Sequence, residues 1–246
     1  MHQSDPEPTT EPGTPGDEKG RLSVLEETVG VYRGYLASGY SSRWEARTAG
    51  EQLALAERTD WVLTAAAPAR SGTLVDLGCG GGWLGVALDQ AGRRPTRYIG
   101  VDLLDERIEI ARTNVPWGEF LTCSADQVPL PDASIDAVVA VTLFSSLTAE
   151  WFRFAVAAEI DRLIRPGGRV AIYDLRYRSP SNPHVVPITV KEVRRLFPGW
   201  SVETATYLTL LPPIMRSWLG GSALRYRALT ALPFLRSHLA VVLRKL

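Results

Sequence analysis

Leu74-Val75-Asp76-Leu77-Gly78-Cys79-Gly80-Gly81-Gly82 reads as a short apolar strand that runs into a glycine-rich turn. Trp83–Ala91 follows with the pattern of a helix. A chain that turns this sharply, and lets its backbone approach a ligand, needs residues without a Cβ. The helix start beyond the turn also offers free N–H groups. The same alternation repeats downstream. Strands are expected at Thr73–Leu77, Tyr98–Val101, Phe120–Cys123, Ile135–Thr142 and Arg169–Tyr173, with helices across Asp105–Thr113 and Thr148–Ile164 between them. Strands that alternate with helices predict an α/β fold with a parallel sheet and right-handed crossovers. Short, nearly all-apolar strands agree, because such a sheet is covered on both faces.

The last third differs. Thr189-Val190-Lys191-Glu192 has the form of a capping box and opens a helix to about Phe197. Ser201–Leu210 and His238–Leu243 read as a sixth strand and a seventh that returns to the sheet, which gives the core an antiparallel edge. The expected organisation is a Pro-rich acidic tail over 1–20, a helical cap over 21–70 and one α/β domain over 71–246, with an insert at 211–237. In the tail Asp5, Glu7, Glu11, Asp17 and Glu18 face one base, Lys19. Such a segment buries too little apolar surface to offset its ordering entropy, so disorder is expected there. In the cap, Leu53, Leu55, Ala56 and Trp61 fall roughly at helical spacing from about Gly50, and Pro68 ends the run.

Composition narrows the partners. The 246 residues carry 27 basic and 27 acidic side chains, a formal net charge of zero. A protein that grips nucleic acid by its phosphates usually shows a basic excess, so no nucleic-acid partner is expected. Two cysteines, Cys79 and Cys123, suit a reducing compartment, and neither has neighbours at zinc-ligand spacing, so no metal is expected. With no signal-peptide pattern and no apolar run long enough to span a membrane, a cytoplasmic protein is expected.

Two cofactor readings compete for the glycine turn. Gly80-x-Gly82-x-x-Gly85 formally satisfies the dinucleotide fingerprint, with Asp102 standing 20 residues beyond Gly82, which would make the protein a nicotinamide oxidoreductase. Against it, Asp76 puts an acid two residues before the first glycine, where a cationic ligand is better served than a pyrophosphate, and the pattern starts two residues late. The alternative explains more positions. Asp76-Leu77-Gly78-Cys79-Gly80-Gly81-Gly82 resembles motif I of the class I S-adenosylmethionine-dependent methyltransferases. Leu130-Pro131-Asp132 through Asp136 resembles that family's lead into strand four, and Leu163-Ile164-Arg165-Pro166-Gly167-Gly168 its turn before strand five. The resemblance implies a Rossmann-like, mostly parallel seven-stranded sheet with an antiparallel last strand and helices on both faces. It implies S-adenosylmethionine as methyl donor, with S-adenosylhomocysteine as product. It assigns cofactor contacts to Asp76, Gly78, Gly80, Asp102 with Leu103, Ala125 with Asp126, Val141 and Tyr40. The departures are the extra Gly81, the bulky Trp83, and Phe144-Ser145-Ser146-Leu147 where many relatives carry aromatic or His residues.

The resemblance further implies in-line attack of a substrate nucleophile on the sulfonium methyl, with alignment and exclusion of water as the main tasks. An oxygen nucleophile would need a base near the operating pH, and His184 and then His238 are the candidates on the expected ligand side of the sheet. Phe144, Asp174 and Arg176 are candidate substrate contacts, although Asp174 and Arg176 could simply pair. Asp136 reads as a structural acid at the base of strand four. The acceptor is expected to be a small molecule, because the segments least like the family, 21–70 and 176–237, lie where substrate would sit. Residues 212–246 carry Arg216, Arg225, Arg227, Arg236, Arg244 and Lys245 with no acid, which suits an anionic or lipid-linked substrate or merely balances the tail. O-methylation is slightly favoured. A methyltransferase-like protein that catalyses cyclisation or only binds is the remaining alternative, and the oligomeric state is open.

Overall fold

A computed structural model describes residues 18–37, 48–69, 71–178, 182–217 and 222–246. Its centre is a seven-stranded sheet built from β1 (Thr73–Leu77), β2 (Arg97–Asp102), β3 (Glu119–Thr122), β4 (Ile135–Val141), β5 (Ile164–Leu175), β6 (Ser201–Leu210) and β7 (Arg236–Arg244). The order is β3-β2-β1-β4-β5-β7-β6. The pairs from β3 through β5 are parallel, and β7 runs antiparallel to both β5 and β6. The antiparallel last strand and the antiparallel edge are as expected. β7 slots between β5 and β6, so β6 takes the edge and polar β6 residues such as Glu203 and Thr204 face solvent. Burial agrees: seven of the nine β7 positions are buried, as a strand flanked on both sides requires.

Helices cover both faces. Val75, Leu77, Val138, Val170 and Ile172 meet α5 (Glu150–Leu163) and α6 (Val190–Leu196) on one side. Leu74, Ala137, Val139 and Ala171 meet α2 (Ala49–Ala66), α3 (Trp83–Gln90) and α4 (Asp105–Asn114) on the other. Successive strand residues alternate between the two layers, as the pleat demands. Asp136 ties the bottom of the sheet: it accepts from the Thr73 N–H at 2.6 Å and pairs with Arg165, the structural role expected of it.

Helix α1 (Glu18–Ala37) begins at Glu18, inside the stretch expected to be tail, and residues 1–17 lie outside the described residues. Helix α2 starts with a full capping box. Thr48 accepts from the Glu51 N–H at 3.2 Å and Glu51 accepts from the Thr48 N–H at 3.0 Å. At α6 the expected box is only half made. Thr189 caps Glu192, but the Glu192 carboxylate turns to Arg153 instead. The 211–237 insert holds α7 (Pro212–Met215) and α8 (Ala223–Thr230), which pack Met215 and Tyr226 with Leu210 against Ala54 of α2. Two of its cations meet acids of α2. Arg216 pairs with Glu51 at 2.8 Å, and Arg236 approaches Glu57 at 3.6 Å.

Candidate active site

The carboxyl ends of β1 and β2 carry the glycine loop. Gly78, Gly80 and Gly82 all have positive φ, at 80°, 53° and 81°. This left-handed backbone strains any residue with a Cβ, so the three alternating glycines are dictated by conformation. The turn starts at Gly78, where the N–H groups of Gly78 and Cys79 both donate to Val101 O at 2.8 and 2.9 Å. That start matches the acid-x-Gly-x-Gly-x-Gly frame and not the later dinucleotide frame beginning at Gly80. Asp102 closes the loop from β2. Its carboxylate accepts from the Gly80 N–H at 2.9 Å and from the Leu104 N–H at 3.0 Å. Leu103 lies half-buried between.

Asp76 departs from expectation. Its carboxyl is 3% exposed and accepts from the Tyr98 hydroxyl at 2.7 Å, so it is turned into the fold below the loop rather than toward a cationic ligand. Burial pushes its pKa up to about 7, against the hydrogen bond from Tyr98. The sign follows from linkage. A carboxyl with a raised folded pKa binds protons more tightly folded than unfolded, so its ionisation removes stability as pH rises from the unfolded value to about 7. Asp76→Asn is therefore expected to melt higher than the parent at about pH 8 and to lose that advantage by about pH 4. A thermal melting series across that range checks it. A pH-independent difference would assign the residue another role.

Helix α1 lies across this end of the sheet. Arg21 forks onto Asp126, beyond β3, at 2.6 and 3.1 Å. Tyr32 donates to Ser146 beyond β4 at 2.6 Å, and Tyr35 donates to Asn182 beyond β5 at 3.0 Å. Arg33 reaches Glu106 of α4 at 2.9 Å. Four tethers to four places along the sheet make α1 a cover over the strand ends. Asp126, expected to contact the cofactor, is thus engaged by Arg21 and Ser124, with Ala125 half-buried beside it. Tyr40 lies outside the described residues.

The ends of β4, β5 and β7 sort the remaining candidates. Val141 is half-buried at the end of β4 and packs near Trp61 and Tyr173. Phe144 is fully buried against Phe197, so its side chain belongs to the core and not to a substrate surface. Asp174 is also fully buried. It accepts from the Ser145 N–H at 3.0 Å and its own chain at Leu175 N at 2.8 Å, with a pKa pushed up by burial to about 6. Adjacent strand residues face opposite layers, so Asp174 looks away from Tyr173. It neither opens to substrate nor pairs with Arg176. The Arg176 guanidinium donates to Pro233 O at 2.9 Å and lies 3.7 Å from the Tyr207 ring centre. Phe144 and Asp174 thus sit in the core, whereas Arg176 stays half-buried at the end of β5.

The histidines split. His238 is 6% exposed, stacked on Tyr173 with ring centres 4.6 Å apart, and its Nδ1 bonds with Ser237 Oγ at 2.8 Å. Burial, with Arg58 nearby, pushes its pKa down to about 3, so it stays neutral. His184 is exposed in the segment after β5, where its N–H donates to Asn182 Oδ1 at 3.1 Å. Sequence reading missed two groups here. Arg58 of α2 stacks on Trp83, 4.1 Å from the ring centre. Arg153 of α5 is 3% exposed and bonded through its whole guanidinium. Neither lies in a motif, although an Arg one turn before the apolar Val62 was a readable anomaly on a core-facing helix.

Residues 75–172 match the family model described as a methyltransferase domain. Among curated proteins, an uncharacterized methyltransferase of Mycobacterium bovis is 33% identical over 117 residues, covering 47% of this chain and 43% of that protein. The 27-O-demethylrifamycin SV methyltransferase of Amycolatopsis mediterranei is 30% identical over 158 residues, covering 61% and 56%. The chain thus spans about half the length of these relatives. Among solved structures, geranyl diphosphate C-methyltransferase from Streptomyces coelicolor A3(2), crystallised with Mg2+, geranyl diphosphate and S-adenosyl-L-homocysteine, superposes with a TM-score of 0.58 at 18% identity, covering 77% of each chain. Residues 75–172 are thus similar to a methyltransferase domain, and they lie on the sheet order and carry the glycine loop described above, a Rossmann-like fold shared with solved methyltransferase structures.

Proposed function

We propose that the protein transfers a methyl group from S-adenosylmethionine to a small-molecule acceptor, with oxygen as the favoured nucleophile. The observation that carries this is the loop of three left-handed glycines closed by Asp102, inside the matched domain. The residues fit such a cofactor. A Cβ on Gly80 would stand 3.0 Å from Arg107 Nη1, so the glycine keeps an opening beside a cation, and Asp102 presents an acceptor-only group there. When bound, S-adenosylmethionine supplies an electrophilic methyl on a sulfonium.

The chain's own contribution is then binding, covering and proton handling. Gly78 to Gly82 and Asp102 would hold the nucleoside end, with Asp126 able to contact it if Arg21 yields. Helix α1, tethered through Tyr32 and Tyr35, would exclude water from the strand ends, which strengthens every polar interaction beneath it. A proton released by a hydroxyl acceptor would go to His184 rather than to His238, because a ring held neutral down to about pH 3 is a poor base near neutrality. Rifamycin and geranyl diphosphate methyltransferases among the similar proteins support a small acceptor over a macromolecule.

The test is calorimetric titration with S-adenosylhomocysteine, with NAD in parallel. Micromolar binding of the former alone is expected, and binding of NAD alone would restore the oxidoreductase reading. In an acceptor screen read by the mass of one added methyl, His184→Ala should keep its affinity for S-adenosylhomocysteine and lose turnover of hydroxyl acceptors. Unchanged turnover would leave alignment as the chain's whole contribution.

A further inference from the structure

Among the described residues Arg58 is a cation without a counter-ion. It makes no ion pair among the described residues, and its Nε is buried with no hydrogen-bond partner. Its neighbour Glu57 is committed elsewhere, accepting from the Thr209 N–H at 2.8 Å and the Tyr226 hydroxyl at 3.0 Å. Burial lowers the Arg58 pKa, and its charge is felt by Tyr173 of β5 and His238 of β7. Most buried polar groups in native proteins are satisfied, and a buried charge left single is costly. A guanidinium flat on Trp83 keeps its N–H edge free, the geometry that grips a carboxylate or phosphate.

We propose that Arg58, seated on Trp83 beside Tyr173 and His238, binds a carboxylate or phosphate carried by the methyl acceptor. The position favours the acceptor over the cofactor. The Trp83 seat directly follows Gly82 of the loop, but the Arg58 charge acts on Tyr173 and His238, which stand on β5 and β7, two and three strands beyond β1 and away from Asp102. His238 then has a purpose as a packed, neutral floor: a second cation there would repel Arg58, and an acid would neutralise it. The substrate class follows as a small anionic molecule. This deepens the proposed function and rests on it, since it presumes that the other reactant binds at the loop.

Inorganic phosphate is the probe, titrated into the full-length, 15N-labelled protein at constant ionic strength against chloride, without and with saturating S-adenosylhomocysteine. The Nε–H signal of Arg58, assigned by its loss in Arg58→Lys, should shift saturably in the millimolar range with phosphate and not with chloride. An unmoved signal overturns the proposal. Calorimetry on Arg58→Met separates the two possible sources of the anion. Unchanged affinity for S-adenosylhomocysteine is expected, and a tenfold loss would assign Arg58 to the cofactor's own carboxylate and overturn the acceptor assignment. Failure of the underlying function is read separately, as absence of S-adenosylhomocysteine binding in the parent protein. With an acceptor in hand, Arg58→Met should raise KM for anionic acceptors more than it lowers kcat, and should leave neutral ester counterparts unaffected.

Discussion

Asp102→Ala is expected to lose S-adenosylhomocysteine affinity by about a hundredfold, near 3 kcal/mol, because a hydrogen bond to a charged group contributes about 1.5–3 kcal/mol and two ligand hydroxyls would share this carboxylate. The carboxylate already accepts from Gly80 and Leu104, so the substitution also frees two backbone donors of the loop. Affinity and loop integrity must therefore be read apart. Asp102→Asn keeps one acceptor oxygen and the side chain's shape, and should lose about tenfold. Asp136→Asn is the control, since that acid holds the Thr73 N–H and Arg165 at the opposite ends of the strands. It should lower the melting temperature and leave the affinity alone. Equal affinity for the Asp102→Ala variant and the parent would remove the loop from the cofactor site.

The architecture was legible because its signals are local. Gly78, Gly80 and Gly82 announce a turn that only left-handed backbone makes, and Leu74 to Leu77 announces a strand covered on both faces. The antiparallel last strand was legible by resemblance, but its insertion between β5 and β6 was not, because the burial that reveals it belongs to the sheet and not to the strand. Asp76 shows the limit at the site. The sequence places an acid before the first glycine, but only the fold reveals Tyr98 reaching it from β2 and turning a presumed ligand contact into a buried support. Phe144 and Asp174 misled for a related reason. Their positions after β4 and β5 are on the ligand side, but each side chain points into the layer of α5 and α6. Arg21 and Arg153 were invisible because arginine is ordinarily a surface residue, and their partners lie far off in sequence.

Arg153→Met is expected to destabilise the fold by about 3–5 kcal/mol, the cost of breaking a buried ion pair from one side. At 3% exposure, Arg153 donates to Leu147 O at 2.7 Å, to Val186 O at 2.9 Å and to Glu192. Methionine fills similar volume but leaves two carbonyls and a carboxylate without partners. For a chain of this size each 1 kcal/mol moves the melting temperature by roughly 2–4 °C, so a fall of about 6–20 °C is expected. Adding Glu192→Leu should recover part of the loss, because the double variant no longer strands a carboxylate. The effect has a pH signature that a simple packing defect lacks. Arg153 holds down the pKa of Asp174, which burial has pushed up to about 6. Without the guanidinium that pKa rises further, so ionising Asp174 costs more as pH climbs through and above about 6. The gap between variant and parent should therefore widen from acid toward neutral pH. A gap of constant size would mean that Arg153 acts through its three bonds alone. The consequence for the site is indirect. Val186, held by Arg153, donates to Ser145 O at 2.9 Å, and Ser145 N is held by Asp174, so one guanidinium fastens the segments after β4 and β5 to each other. Loosening them should weaken the docking of α1 at Ser146 and Asn182, and with it the exclusion of water from the strand ends.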